Sequence, residues 1–218
     1  MQIINLEPSH ATDAARLHIA GQPHTFLTNL GPAVLTTFYR ALPQSATGFG
    51  FAALAPQEAQ HAPRHTSHAT RIVGFISATT STGQLFLQLG TRYLPAFLPP
   101  LLRRFAQRPG LLLNCIQTIV YPLQHGSTVA ENIGPTAELL SIMVEPSWRS
   151  HGIGAHLLAA LVTACQARRL AALDVTVAAE NVGAQRFYAR HGFVEQQRFT
   201  LYGRPMYRYR CLLTSAGS

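Results

Sequence analysis

Not one lysine occurs in this chain of 218 residues: all 17 basic side chains are arginine, set against nine acidic ones, for a formal charge of +8. Lysine's absence excludes a P-loop, whose Gly-Lys-Ser/Thr ending needs that amine on the phosphates. Cysteine is scarce too. Cys115, Cys165 and Cys211 are odd in number and share no metal-like spacing, a pattern of reduced thiols that points to the cytoplasm. Long apolar runs are missing; "YLPAFLPPLL" comes nearest, and it is too short and too proline-broken to span a bilayer. The opening "MQIINLEPSH" lacks the basic and apolar regions of a secretory signal. Charged residues make up only 12% against 47% hydrophobic, which excludes wholesale disorder and leaves enough apolar mass for one core. The basic surplus suits a polyanionic partner: nucleic acid, acidic lipid or a phosphorylated small molecule. The arginines are scattered, however, apart from Arg103–Arg104 and Arg168–Arg169. Scatter argues against nucleic acid.

What is present is an alternation of strand and helix patterns. "QIINLE" reads as a strand, followed by a helix from about Ala11 to Ala20. Phe26, Leu30, Val34, Leu35 and Phe38 fall near helical spacing and predict one second helix. "GFGFAALA" and "TRIVGFISA" read as paired strands, joined by the polar, aperiodic loop "PQEAQHAPRHTSHA". Residues 80–135 read as a mostly helical insertion with proline breaks. Beyond it "AELLSIMV" is a strand, "GIGAHLLAALVTACQARR" a helix, "AALDVTVAA" a strand, "NVGAQRFYARHG" a helix, and "FVEQQRF" and "PMYRYRCLL" final strands. Such alternation implies a mixed α/β fold, expected as a single domain over 1–213 with a short tail at 214–218.

The stretch "EPSWRSHGIGAHLL" sets Arg149, Gly152 and Gly154 between a strand and a helix. Unpaired amides and the positive end of the helix dipole make such a turn a general anion cup. Glycine at 152 and 154 admits close backbone approach, and Arg149 adds a fixed charge for phosphate oxygens. A dinucleotide fingerprint would need a third glycine at 157, where the chain has Leu157. From the turn alone, a tight strand-to-helix connection remains an equal alternative.

Downstream, Asn181, Ala184, Phe187, Tyr188, Gly192 and Phe193 fall in a fixed order. Together, Arg149-x-x-Gly152-x-Gly154 and this second block resemble the GNAT superfamily of acyl-CoA-dependent N-acyltransferases, over about Ala137 to Phe193. The resemblance implies a mixed, mostly antiparallel central sheet flanked by helices, with acetyl-CoA as acyl donor and no metal. It implies a pantetheine arm along the backbone of Ile142, Met143 and Val144. It places the pyrophosphate on the turn of Arg149, Ser150, His151, Gly152, Ile153, Gly154 and Ala155, and the coenzyme arm beside Asn181 and Ala184. Tyr188 matches the family's general acid. Glu138 matches a position that several members use as general base, though a surface glutamate at a strand start fits it equally. The long insertion departs from the compact family plan. It leaves the acceptor, a small-molecule or peptide amine, and the oligomeric state open.

Three further features compete for a role. His61, His65 and His68 stand close in sequence, but Pro63 and polar neighbours indicate a loop rather than a metal site. Cys165 shares an apolar helix face with Leu158, Leu161 and Val162 and reads as core. "RYLPAFLPPLLRRFAQR" fits a peripheral membrane contact or a lid, and its prolines favour the lid.

Overall fold

The structure, a computed structural model, describes residues 1–23, 25–55, 71–107, 110, 134–201 and 203–213. Seven strands form one sheet in the order β1-β2-β3-β4-β5-β7-β6. They are β1 (Ile3–Asn5), β2 (Gly48–Leu54), β3 (Ile72–Thr79), β4 (Thr136–Val144), β5 (Ala172–Ala178), β6 (Val194–Leu201) and β7 (Arg204–Leu212). Every neighbouring pair is antiparallel except β4 and β5. That parallel pair needs a crossover, supplied by α6 (Ile153–Ala167). The mixed, mostly antiparallel architecture agrees with the expectation from sequence.

Before β2 lie α1 (Ala11–Gly21), α2 (Phe26–Leu30) and α3 (Pro32–Ala41). The single helix expected over α2 and α3 is therefore two. Gly31 sits at φ 95°, a left-handed conformation that stops α2. Pro32 then opens α3, where its missing N–H costs nothing. The insertion contributes α4 (Thr82–Thr91) and α5 (Leu94–Gln107). Pro99 and Pro100 lie inside α5 without ending it, contrary to the breaks expected from sequence. The last helix is α7 (Val182–Arg190). The polar loop with His61, His65 and His68, and Cys115, lie outside the described residues. No cluster of three or more metal-binding side chains occurs among the described residues.

Helices pack on both faces of the sheet, while the edge strand β6 has no buried residue. One face carries α6 and α7 over Leu157, Leu161, Leu173, Val175 and Tyr188; the other carries α1 and α3–α5 over Leu17, Leu35, Tyr39, Phe75 and Met143. Cys165 is fully buried on the α6 side, as its helical spacing predicts. Strand β4 changes parity between these layers. Ala137 and Leu139 face α6, yet beyond a register shift it is Ile142 and Val144 that do so, while Ser141 and Met143 turn to the α1 side. The shift pairs Ser77 with Ser141 but Ala78 with Leu139, leaving Leu140 as the extra residue of a β-bulge. A bulge re-aims a strand, and here it coincides with a parting of neighbours.

Candidate active site

Strand β4 stays paired with β3 as far as Val144, but with β5 only from Thr136 to Leu139. The two parallel strands thus part at the bulge, and Leu140–Val144 present an open edge toward β5. Backbone groups on such an edge need partners. This is the splayed strand that the coenzyme's amide-bearing arm would require.

At the end of β4 the chain makes a one-turn 3-10 helix, Pro146–Trp148, and then the glycine turn. Glu145 anchors its start: Arg16 Nη1 of α1 and Arg71 Nη2 both donate to Oε1, at 3.3 and 2.5 Å. Ser150 has φ 65° and Gly152 φ 76°. Two left-handed residues so close together turn successive amides to one side, as in an anion-binding nest. The N–H groups of Ser150, His151, Gly152, Ile153, Gly154 and Ala155 donate to no other described residue; the first helical bond of α6 is His156 N–H to Gly152 O, at 3.1 Å. Arg149 differs from the sequence expectation. Its own N–H is taken by Pro146 O, and its side chain folds back so that Nε donates to Val144 O at 3.2 Å. The residue contributes a guanidinium at the end of β4 rather than an amide. His151 Nδ1 lies 2.8 Å from Arg149 O, a bond within the turn itself.

The two glycines serve different ends. Gly152 is fixed by its backbone conformation. Gly154 is not: a Cβ there would meet only ordinary contacts, 3.5 Å from the Phe187 ring. Packing within the chain does not demand glycine at 154.

Helix α7 starts on Asn181, whose Oδ1 accepts from Ala184 N–H at 3.1 Å, a side-chain cap. That cap sets the helix so that Phe187 reaches Gly154 and Ile142, joining α7, α6 and β4. Tyr188, the next residue, is 3% exposed and packs edge-on against Phe187. Its hydroxyl has no hydrogen-bond partner among the described residues. Burial raises the phenol's pKa, which keeps the proton in place at neutral pH.

Glu138 lies one residue before the last β4–β5 pair, on the sheet face opposite Tyr188. Thr82, at the start of α4, donates its hydroxyl to Glu138 Oε2 at 2.5 Å. Directly across β5 stands Asp174, held by a two-point ion pair with Arg210, both bonds 2.6 Å. Burial raises the Glu138 carboxyl's pKa; the Thr82 bond and the Arg208 charge oppose that rise, and Asp174 adds to it. A carboxylate whose pKa is raised by burial holds a proton more strongly than a free one. The structure places Tyr188 and Glu138 on opposite faces of the sheet, with no contact between them. Sequence reasoning missed Thr82, Asp174 and Arg210. Only the register of the sheet and the docking of α4 place these beside Glu138.

Residues 118–193 match the model of the acetyltransferase (GNAT) family. No curated protein matches the chain in sequence. Among solved structures, the fold is similar to Arabidopsis thaliana NAA60 in complex with acetyl-CoA, at 14% identity and TM-score 0.59, covering 97% of this chain and 98% of that one. It is similar to an acetyltransferase of the GNAT family from Staphylococcus aureus Mu50, at 15% identity and TM-score 0.57, covering 98% and 99%. The ribosomal-protein-S18-alanine N-acetyltransferase of Escherichia coli aligns over 100% of this chain and 96% of its own, at 17% identity and TM-score 0.53.

Proposed function

We propose that this chain is an acyltransferase of the GNAT family and transfers an acetyl group from acetyl-CoA directly to a primary amine. The observation that carries the reading is the row of unbonded amides from Ser150 to Ala155 at the open end of the β4 splay. A pyrophosphate needs several donors converging on one side, and the positive end of α6 adds to their pull. Gly154, which packing leaves free, is explained if a ligand approaches its backbone. The β5-facing edge of Leu140–Val144, which has no strand partner, fits the amide groups of a pantetheine arm, with Ile142, Met143 and Val144 contributing backbone alone.

When bound, acetyl-CoA supplies an acetyl group already activated as a thioester. The protein's residues then have two proton tasks. Glu138 takes the proton of the incoming amine on the α4 side, directly or through water. Tyr188 holds its proton at Oη on the α6 side, where the departing sulfur leaves. Donor and acceptor would meet from opposite faces of the sheet, which suits direct transfer. An N–H of the splayed strand would bind the carbonyl oxygen as it gains charge. The acceptor is an amine, small or at the end of a peptide.

The test is thiol release from acetyl-CoA across a panel of amino sugars, polyamines, amino acids and peptide N-termini. At least one amine should accelerate it in the wild type, and Tyr188→Phe should lower kcat at least ten-fold while KM for acetyl-CoA barely moves. A non-catalytic acyl-CoA-binding module would give no amine-dependent release at all.

A further inference from the structure

We infer that the outer face of α4 and α5 is a docking surface for an anionic lipid bilayer. Four large apolar side chains are exposed on these two helices: Leu87 of α4 at 67%, and Leu94 at 44%, Leu98 at 45% and Leu102 at 57% on α5. They make up half of the eight large apolar side chains exposed among the described residues, so the exposure is concentrated rather than scattered. Leu94, Leu98 and Leu102 follow one another at four-residue steps and form one stripe along α5. The stripe is not the core-facing side of the helix. Phe97 and Leu101 adjoin it on the same apolar arc and turn into the layer beneath α3. Helix α5 therefore carries one broad apolar arc, of which the other described residues cover the Phe97 edge and leave Leu94, Leu98 and Leu102 exposed.

Charge selects the occupant. Between Thr80 and Ala130 the sequence contains no aspartate or glutamate, whereas Arg92, Arg103 and Arg104 belong to α5 and its approach. Arg92 and Arg103 are exposed beside the stripe. Leucines flanked by arginines, with no acid to repel phosphate, suit the boundary between lipid headgroups and acyl chains. A second copy of the chain is a poor occupant: self-pairing would oppose the same arginines in a protein of net charge +8. No helix among the described residues is long and apolar enough to cross a membrane, so the attachment is peripheral. The same insertion reaches the candidate site, because α4 begins at Thr82, whose hydroxyl holds Glu138. A protein docked in this way would carry the acceptor side of its sheet close to the bilayer.

The test is flotation of the full chain with vesicles of phosphatidylcholine alone and with about one third phosphatidylglycerol added. Binding should require the anionic lipid and weaken as salt is raised. Leu98→Ser/Leu102→Ser should abolish it, with circular dichroism unchanged since neither side chain belongs to the buried core. Arg103→Gln should weaken it about five-fold. The inference is overturned if the folded wild type ignores anionic vesicles at low salt, or binds them as well after the leucine change. It is equally overturned if sedimentation shows a dimer that Leu98→Ser/Leu102→Ser dissociates, since a second copy would then cover the face. None of these readouts uses acetyl transfer, so failure here leaves the proposed activity standing.

Discussion

A buried histidine predicts how the fold responds to acid. His18 of α1 is 1% exposed, with Nδ1 2.6 Å from the hydroxyl of Tyr39 on α3. Tyr39 in turn donates to Ser141 Oγ on β4 at 3.2 Å, directly beside the bulge that opens the splay. His18 Nε2 is sealed and has no acceptor among the described residues, so a proton there would be stranded. Burial accordingly lowers the imidazole's pKa from 6.5 to about 4. The folded protein holds His18 neutral while the unfolded chain takes up a proton below pH 6.5. Stability is therefore whole above that value and declines as the pH falls toward 4. Each pH unit between the two values is worth about 1.4 kcal/mol, so about 2 kcal/mol is gone at pH 5 and about 3 kcal/mol below pH 4. Urea unfolding of wild type and His18→Gln at pH 7 and pH 5 isolates this effect from every other titrating group. Whatever the glutamine costs at pH 7, the wild type's advantage should shrink by about 2 kcal/mol at pH 5. An advantage that does not change with pH would refute the sealed, neutral histidine.

Thr82→Val should remove the hydrogen bond that opposes burial at Glu138 and raise the carboxyl's pKa further. If Glu138 is the base, the acidic limb of kcat/KM then moves to higher pH and Thr82→Ser restores it; a limb that stays put contradicts the role. Gly152→Ala forces a Cβ into a left-handed residue and should cost about 1–2 kcal/mol in urea unfolding. Gly154→Ala, whose methyl meets only ordinary contacts, should cost much less, and equal costs would contradict the distinction between the two glycines.

The parts of the site legible in the sequence are those written locally. A strand, a glycine turn and an apolar helix fall within Thr136–Ala167, and Asn181 announces its helix by capping it. Side chains gathered by long-range register were not legible. Thr82 and Glu138 are 56 residues apart, Asp174 and Arg210 are 36 apart, and neither pair has a spacing that means anything until the sheet is assembled. The bulge at Leu140 leaves no mark on the pattern of "AELLSIMV" either, because both faces of β4 are covered and its apolar residues read continuously. Proline misled in one place and informed in another. Gly31–Pro32 divides a helix that periodicity joined, whereas Pro99 and Pro100 sit within a helix that composition seemed to break.

The central claim is that the turn from Ser150 to Ala155 is a coenzyme A cradle, and titration calorimetry with acetyl-CoA tests it most directly. The account predicts saturable binding at one site per chain, lost in Gly154→Trp although circular dichroism shows the fold intact. No heat of binding with the wild type, or undiminished binding with tryptophan at 154, would contradict it.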